Sequence, residues 1–294
     1  MTFSPEMARA LAPKADSFYK AGGHKKPRLH VPSRPCSFTA EEIPPLLPSE
    51  WFRMHFGPLA PQLPPRQGWT ERHLRRAASL KLVEMAAGGT WPESASYLGL
   101  SWNTAQHSLR VLRRVLTSSE LWAAFDQAIE QVACHLDSDE DRINFTRRRK
   151  RLMSWRLTED DWITLRHGLK GLRGRVSASD SRPGTVAIWA QATQADHLHS
   201  PVLDDIRLSG ASTQPVVSAL NQLWTPANQR GANLQLFNRL SRCAAHIGRA
   251  CDQELDDLTI PIIQLVGEPP SPPKAKELRD NIATPRTEPF PAPG

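Results

Sequence analysis

Asn103, Gln106, His107 and Arg110 follow one another at spacings of three, one and three residues, with Trp102 immediately before them. Amide groups donate and accept at once, and guanidinium groups donate, on the edges of base pairs, which is the chemistry needed of a helix laid in the major groove of duplex DNA. Ser101, Arg113 and Arg114 flank the group and supply contacts of the kind made to phosphate oxygens. The base-reading set is therefore Trp102, Asn103, Gln106, His107 and Arg110. The competing reading of the same residues is the solvated polar face of an ordinary packed helix.

Residues 90–116, TWPESASYLGLSWNTAQHSLRVLRRVL, supply the elements that would position these side chains. A short helix is expected to open at Pro92, to carry Ala95 where a neighbouring helix approaches, and to stop at Gly99 with Leu100 beneath the turn. Ser101 then caps a second helix, the recognition helix, at about 102–116. Ala105, Leu109, Leu112 and Leu116 recur on one face for the core, and Asn103, His107, Arg110 and Arg114 recur on the other. A preceding helix over 72–87, with Leu74, Ala78, Leu82 and Met85 in a stripe, completes a three-helix unit. Its Arg72, Arg75, Arg76 and Lys81 are read as solubilising cations, with phosphate contact as the other use.

Around this unit, SEWFRMHFG forms a short amphipathic helix through Trp51, Phe52 and Phe56. Ser119 is expected to cap a helix carrying Phe125, Ile129, Val132 and Leu136 in an apolar stripe. The segment DRINFTRRRKRLMSWR places Arg142, Arg147, Arg148, Arg149, Lys150, Arg151 and Arg156 on about four helical turns. Five consecutive cations wrap most of a helix, so Arg147, Arg148, Arg149, Lys150 and Arg151 suit phosphate contact and not sequence reading, or else a solvated linker. Thr158 with Asp161 then has the form of a capping box, followed by Trp162 and Leu165, with Trp155 and Leu157 just before it.

The 294 residues are 39% hydrophobic and carry a net charge of +7, a sign suited to a polyanionic partner. The 26 prolines crowd into 27–65 and 261–293, so ordered structure is expected mainly over 51–266. The expected organisation is a disordered basic Pro-rich arm over 1–48, a helix-turn-helix domain over 51–137, a basic and a capped helix over 138–170, a flexible loop over 171–184, a helical part over 185–266 and a disordered tail over 267–294. In the helical part, Leu236, Leu240, Ala244 and Ile247 share one face. No alternating strand pattern occurs, so the expected fold class is all-α.

Other chemistry finds little support. His197 and His199, with Cys243 and His246, are the one group imaginable as a metal site, but paired Cys-x-x-Cys spacing is absent and packing is the favoured reading. Glu159, Asp160 and Asp161 splay around a helix start, and Asp252, Glu254, Asp256 and Asp257 close a helix, so neither set reads as a two-metal carboxylate cluster. Without a Gly-rich phosphate loop or a GxSxG motif, no catalytic residue, metal or cofactor is assigned and the chain is expected not to be an enzyme. Scattered Cys36, Cys134, Cys243 and Cys251 fit reduced thiols, and no apolar run approaches a membrane span, so a cytoplasmic, nucleoid-associated protein with no membrane partner is expected.

Three segments, RHLRRAASLKLVEMAAGGTWPESASYLGLSWNTAQHSL, DRINFTRRRKRLMSWRLTEDDW and AIWAQATQADHLHSP, resemble in order and texture the C-terminal part of actinobacterial TniQ-like proteins, over about two thirds of the chain. That resemblance implies an accessory DNA-binding factor of transposition, which helps to choose or mark a target for a separate transposase. The family's N-terminal part with zinc-binding cysteines has no counterpart here, which points to a truncated relative or a regulator that kept the helix-turn-helix half. Only Gly99 and positions 101–110 carry over, as a general helix-turn-helix match. The expected partners are double-stranded DNA, with a transposase or a second copy of the chain. The alternatives are an interaction or scaffold protein that binds a transposase or regulator, and, more weakly, a metal-dependent recombination enzyme.

Overall fold

The structure is a computed structural model of the chain, and describes residues 35–57, 59, 67–140, 142–169, 172, 180–224, 230–255 and 258–262. Regular structure in these residues is entirely helical, with eleven α-helices, short 3-10 turns and no strand. The described residues divide into two compact units. The first runs to Met153 and also takes in Thr193–Ser200; the second holds Ser154–Ala192 and the chain from Pro201 onward. The segment expected to form one piece over 138–170 is thus divided between them.

The first unit is organised by α2 (Gln67–Ala87), a 21-residue helix. Leu74, Ala78, Leu82 and Met85 of the expected stripe are all buried, but so are Ala77, Leu80 and Val83. Burial extends beyond one stripe because helices pack on several sides. Around it lie α3 (Trp91–Tyr97), α4 (Trp102–Val115) and α5 (Ser119–Ser138), while α1 (Ser49–Phe56) packs on α5 through Phe56 and Phe125. The cap of α5 is Ser118, one residue before the expected Ser119, and its hydroxyl accepts the Leu121 amide at 3.3 Å. Phe125, Ile129, Val132 and Leu136 are buried as their spacing predicts.

Residues 35–48 of the arm expected to be disordered belong to the described fold. Phe38, Ile43 and Leu47 are at most 3% exposed in the core, and Thr39 with Glu42 forms a capping box on a 3-10 turn, Ala40–Glu42. Prolines here separate anchoring apolar residues and do not prevent packing. Positions 1–34 and 263–294, which hold most of the expected arm and the whole expected tail, lie outside the described residues.

The basic segment forms a helix, α6 (Phe145–Arg151), of only seven residues. It starts at the Asn144 cap, whose side chain accepts the Arg147 amide at 2.7 Å. The four turns expected of it are two, so Arg142 and Arg156 are not on it. Arg142 instead bonds the Ser37 hydroxyl at 2.8 Å, and Arg156 pairs with Asp205.

In the second unit α7 (Glu159–Arg166), α9 (Pro201–Leu208), α10 (Gln214–Trp224) and α11 (Gly231–Asp252) pack with α8 (Arg182–Ala192) at the centre. Thr158 caps α7, accepting the Asp161 amide at 3.1 Å, and Trp162 and Leu165 are fully buried. Gly184 lies in the first turn of α8 and not in the expected loop. A Cβ there would stand 2.7 Å from the Trp162 ring and 2.8 Å from Leu157, so only glycine allows this approach. Leu236, Leu240, Ala244 and Ile247 of α11 are buried as one face, joined by Cys243 and Cys251.

Candidate nucleic-acid interface

The two helices over 90–116 meet at a turn set by local chemistry. Thr90 caps α3 in a capping box with Glu93, whose carboxylate accepts the Thr90 amide at 2.7 Å. Gly99 ends the turn at φ +64°, and the Leu100 amide closes back on the Ala95 carbonyl at 2.9 Å. Ala95 and Leu98 are buried, and Leu98 takes the place beneath the turn expected of Leu100, which is half-buried. Ser101 caps α4: its Oγ accepts the Thr104 amide at 3.2 Å and lies 2.9 Å from the Thr104 hydroxyl.

Along α4, Ser101, Trp102, Asn103, His107, Arg110, Arg113 and Arg114 are exposed, with Trp102 at 45%, and Gln106 is half-buried. Arg110 Nη2 donates to Gln106 Oε1 at 3.4 Å, so two base-reading candidates stand against each other one turn apart. The buried face is Ala105, Ser108, Val111, Leu112 and Val115. Leu109, expected in that core, is half-buried, because the face is centred one position away and admits Ser108.

Ser108 belongs to a buried polar cluster under α4 that the sequence does not announce. Its Oγ donates to the Thr104 carbonyl at 3.1 Å, lies 3.3 Å from His73 Nδ1 and 3.4 Å from Arg76 Nη1. Arg76, 4% exposed, donates from Nη2 to Asp196 Oδ2 at 2.6 Å, and Arg72 Nε stands 3.6 Å from the same oxygen. Arg75 donates to the Leu47 carbonyl at 2.6 Å. Three of the cations read as solubilising are therefore internal ties. Burial alone would raise the Asp196 pKa, but the Arg72 and Arg76 guanidiniums outweigh it and hold the carboxyl below its ordinary value. His73 is lowered to about 4, by burial first and by the Arg76 charge second, and its ring meets that of exposed His107 edge-on at 4.7 Å.

The five cations of α6 separate by environment. Lys150 is exposed, and Arg147 and Arg151 are half-buried. Arg148, at 9% exposure, lies over the Phe145 ring. Arg149 donates to the Tyr97 carbonyl and to Thr146 Oγ1 at 3.0 Å, while Thr146 itself donates to the same Tyr97 carbonyl at 3.2 Å. Burial pushes the Arg149 guanidinium down to about 10. Both are expected at phosphate, but Arg148 is turned into the fold and Arg149 caps the C-terminal end of α3 beside Gly99. The same contacts seat α6 next to the turn that leads into α4. An unbroken run of cations gives no sequence sign that Arg149 turns inward, since that depends on Tyr97, some fifty positions away.

Cys243, proposed with His246, His197 and His199 as an imaginable metal set, is fully buried, and burial pushes its thiol up to about 12. Among the described residues no group of three or more His, Cys, Asp or Glu is placed to hold a metal ion. Asp256 and Asp257 lie outside the described residues. No described helix is long and apolar enough to cross a membrane. Comparison with protein-family models, with curated proteins and with solved structures gives no match to this chain.

Proposed function

We propose that the chain is a non-enzymatic protein that binds double-stranded DNA through a helix-turn-helix, laying α4 in the major groove, in the accessory or regulatory role in transposition that the TniQ resemblance implies. The observation that carries this reading is the exposed run Trp102, Asn103, His107 and Arg110 on a helix whose opposite face is buried, continued by exposed Arg113 and Arg114. Lys150, exposed on the helix seated beside the same turn, supports the reading as a further cation for phosphate contact. The net charge of +7 favours association with a polyanion.

Selection from a random duplex pool across a salt series tests the reading. The expected result is a short enriched motif with affinity that falls steeply with salt. Replacing Arg110 or Asn103 by alanine should cost about 1–3 kcal/mol, confined to one base position. Absence of binding at low salt overturns the proposal and leaves a protein-binding scaffold as the reading to pursue. An Arg110→Ala variant with unchanged affinity and motif removes α4 as the reading element.

A further inference from the structure

The carboxylate in the buried cluster under α4 has an unexpected source. Asp196 lies 120 residues beyond Arg76 in sequence. It sits in Thr193–Ser200, the segment that joins α8 to α9 yet belongs to the first unit. The segment is held there by more than one tie: the Leu46 amide donates to the Gln194 carbonyl at 3.0 Å, and Gln194 takes a left-handed φ of 48° to present it. Asp196 is itself fixed, since its Oδ1 accepts the Leu198 amide at 3.1 Å and faces His197 Nδ1 at 3.6 Å.

We propose that Asp196 is a positioning residue for the reading face of α4, acting through Arg76 and Ser108; this rests on the DNA-binding reading given above. The Asp196 carboxylate holds the Arg76 guanidinium in the plane from which Nη1 reaches Ser108, and Ser108 bonds the Thr104 carbonyl within α4. Asn103 and His107 neighbour Thr104 and Ser108 in sequence, and His107 is braced against His73 of the same cluster. The groove-facing side chains are thus referred to a directional polar contact on the helix's inner side, which fixes rotation and height more narrowly than apolar packing alone. Removal of the carboxylate leaves a buried cation that must find another acceptor or draw in water, and the Arg76 to Ser108 distance is no longer set.

Two variants of the full chain separate positioning from folding. Asp196→Asn keeps the size of the side chain and removes its charge. The double variant Arg76→Met with Asp196→Leu replaces the ion pair with packed apolar groups, an exchange that cores generally tolerate without loss of stability. Each is checked by circular dichroism and assayed at a temperature where it is folded, by selection from the duplex pool and by affinity for the enriched duplex. The expected result for both is a tenfold or greater loss of preference for the enriched motif over random duplex, with the salt dependence of binding kept. Simple destabilisation lowers affinity for all sequences in proportion to the folded fraction and leaves the motif unchanged. A folded double variant that keeps the wild-type motif and affinity overturns the proposal, as does Asp196→Asn doing so. If the wild-type protein binds no duplex, the DNA reading falls and this inference falls with it; if it binds with a motif that both variants keep, only this inference falls.

Discussion

At the scale of single residues, environment and not type decides what a cation or imidazole does. Arg148 and Lys150 stand two apart in an unbroken basic run, yet one is 9% exposed over the Phe145 ring and the other faces water. Replacing Arg148 with methionine should therefore alter the denaturation midpoint and leave the salt slope of DNA binding unchanged. Lys150→Ala should leave the midpoint in place and lower that slope by about one phosphate contact. Equilibrium unfolding and binding titrations at several salt concentrations distinguish the two. His73 makes a pH prediction. Its pKa in the fold, about 4, lies below the ordinary 6.5, so the folded state binds fewer protons. Its contribution is present above 6.5 and is lost as pH falls from there toward 4. Between pH 7 and pH 5 the wild-type protein should lose about 2 kcal/mol more stability than a His73→Gln variant, measured by urea unfolding at both values.

At the scale of elements, the turn between α3 and α4 concentrates several constraints in a few residues. Gly99 holds a left-handed φ, and a Cβ on it would meet Arg149 Nη1 at 2.7 Å. Gly99→Ala should therefore cost about 1–2 kcal/mol from backbone strain, and more if Arg149 loses its bond to the Tyr97 carbonyl. Thermal unfolding of Gly99→Ala in wild-type and Arg149→Ala backgrounds measures this, and the glycine penalty should be smaller in the second. The turn, the Ser101 cap and the polar face of α4 were legible because each depends on residues within one or two helical turns. The fate of the basic segment was not legible. Its length was limited by the Asn144 cap and the Leu152 cap, and its inward cations were chosen by the Phe145 ring for Arg148 and by Tyr97 of α3 for Arg149.

At the scale of the molecule, the first unit takes the carboxylate that pairs with buried Arg76 from a segment that lies beyond α8 in sequence. A fragment ending at residue 153 retains Arg76 without Asp196. It should be about 3–5 kcal/mol less stable than the same unit in the full chain, the usual penalty for leaving one buried partner unpaired. Arg76→Met gives the sharper check, because it should stabilise the fragment while destabilising the full chain, a reversal of sign readable in urea midpoints. Equal effects in both would mean that Asp196 does not compensate Arg76.

Periodicity and caps in the sequence alone determined the all-helical class, the apolar faces of α5 and α11, and the separation of α4 into a buried and a polar side, because neighbours at three and four residues settle these. Composition suggested a disordered stretch to residue 48, and this failed over 35–48 because Phe38, Ile43 and Leu47 find a core that only the assembled helices provide. Tertiary structure alone decided that Arg72, Arg75 and Arg76 point inward, that Arg149 caps a helix, and that Asp196 reaches under α4. The physical reason is common to all of them: a buried charge is tolerated only where a specific acceptor meets it, and the position of that acceptor is a property of the folded chain and not of the residues beside it.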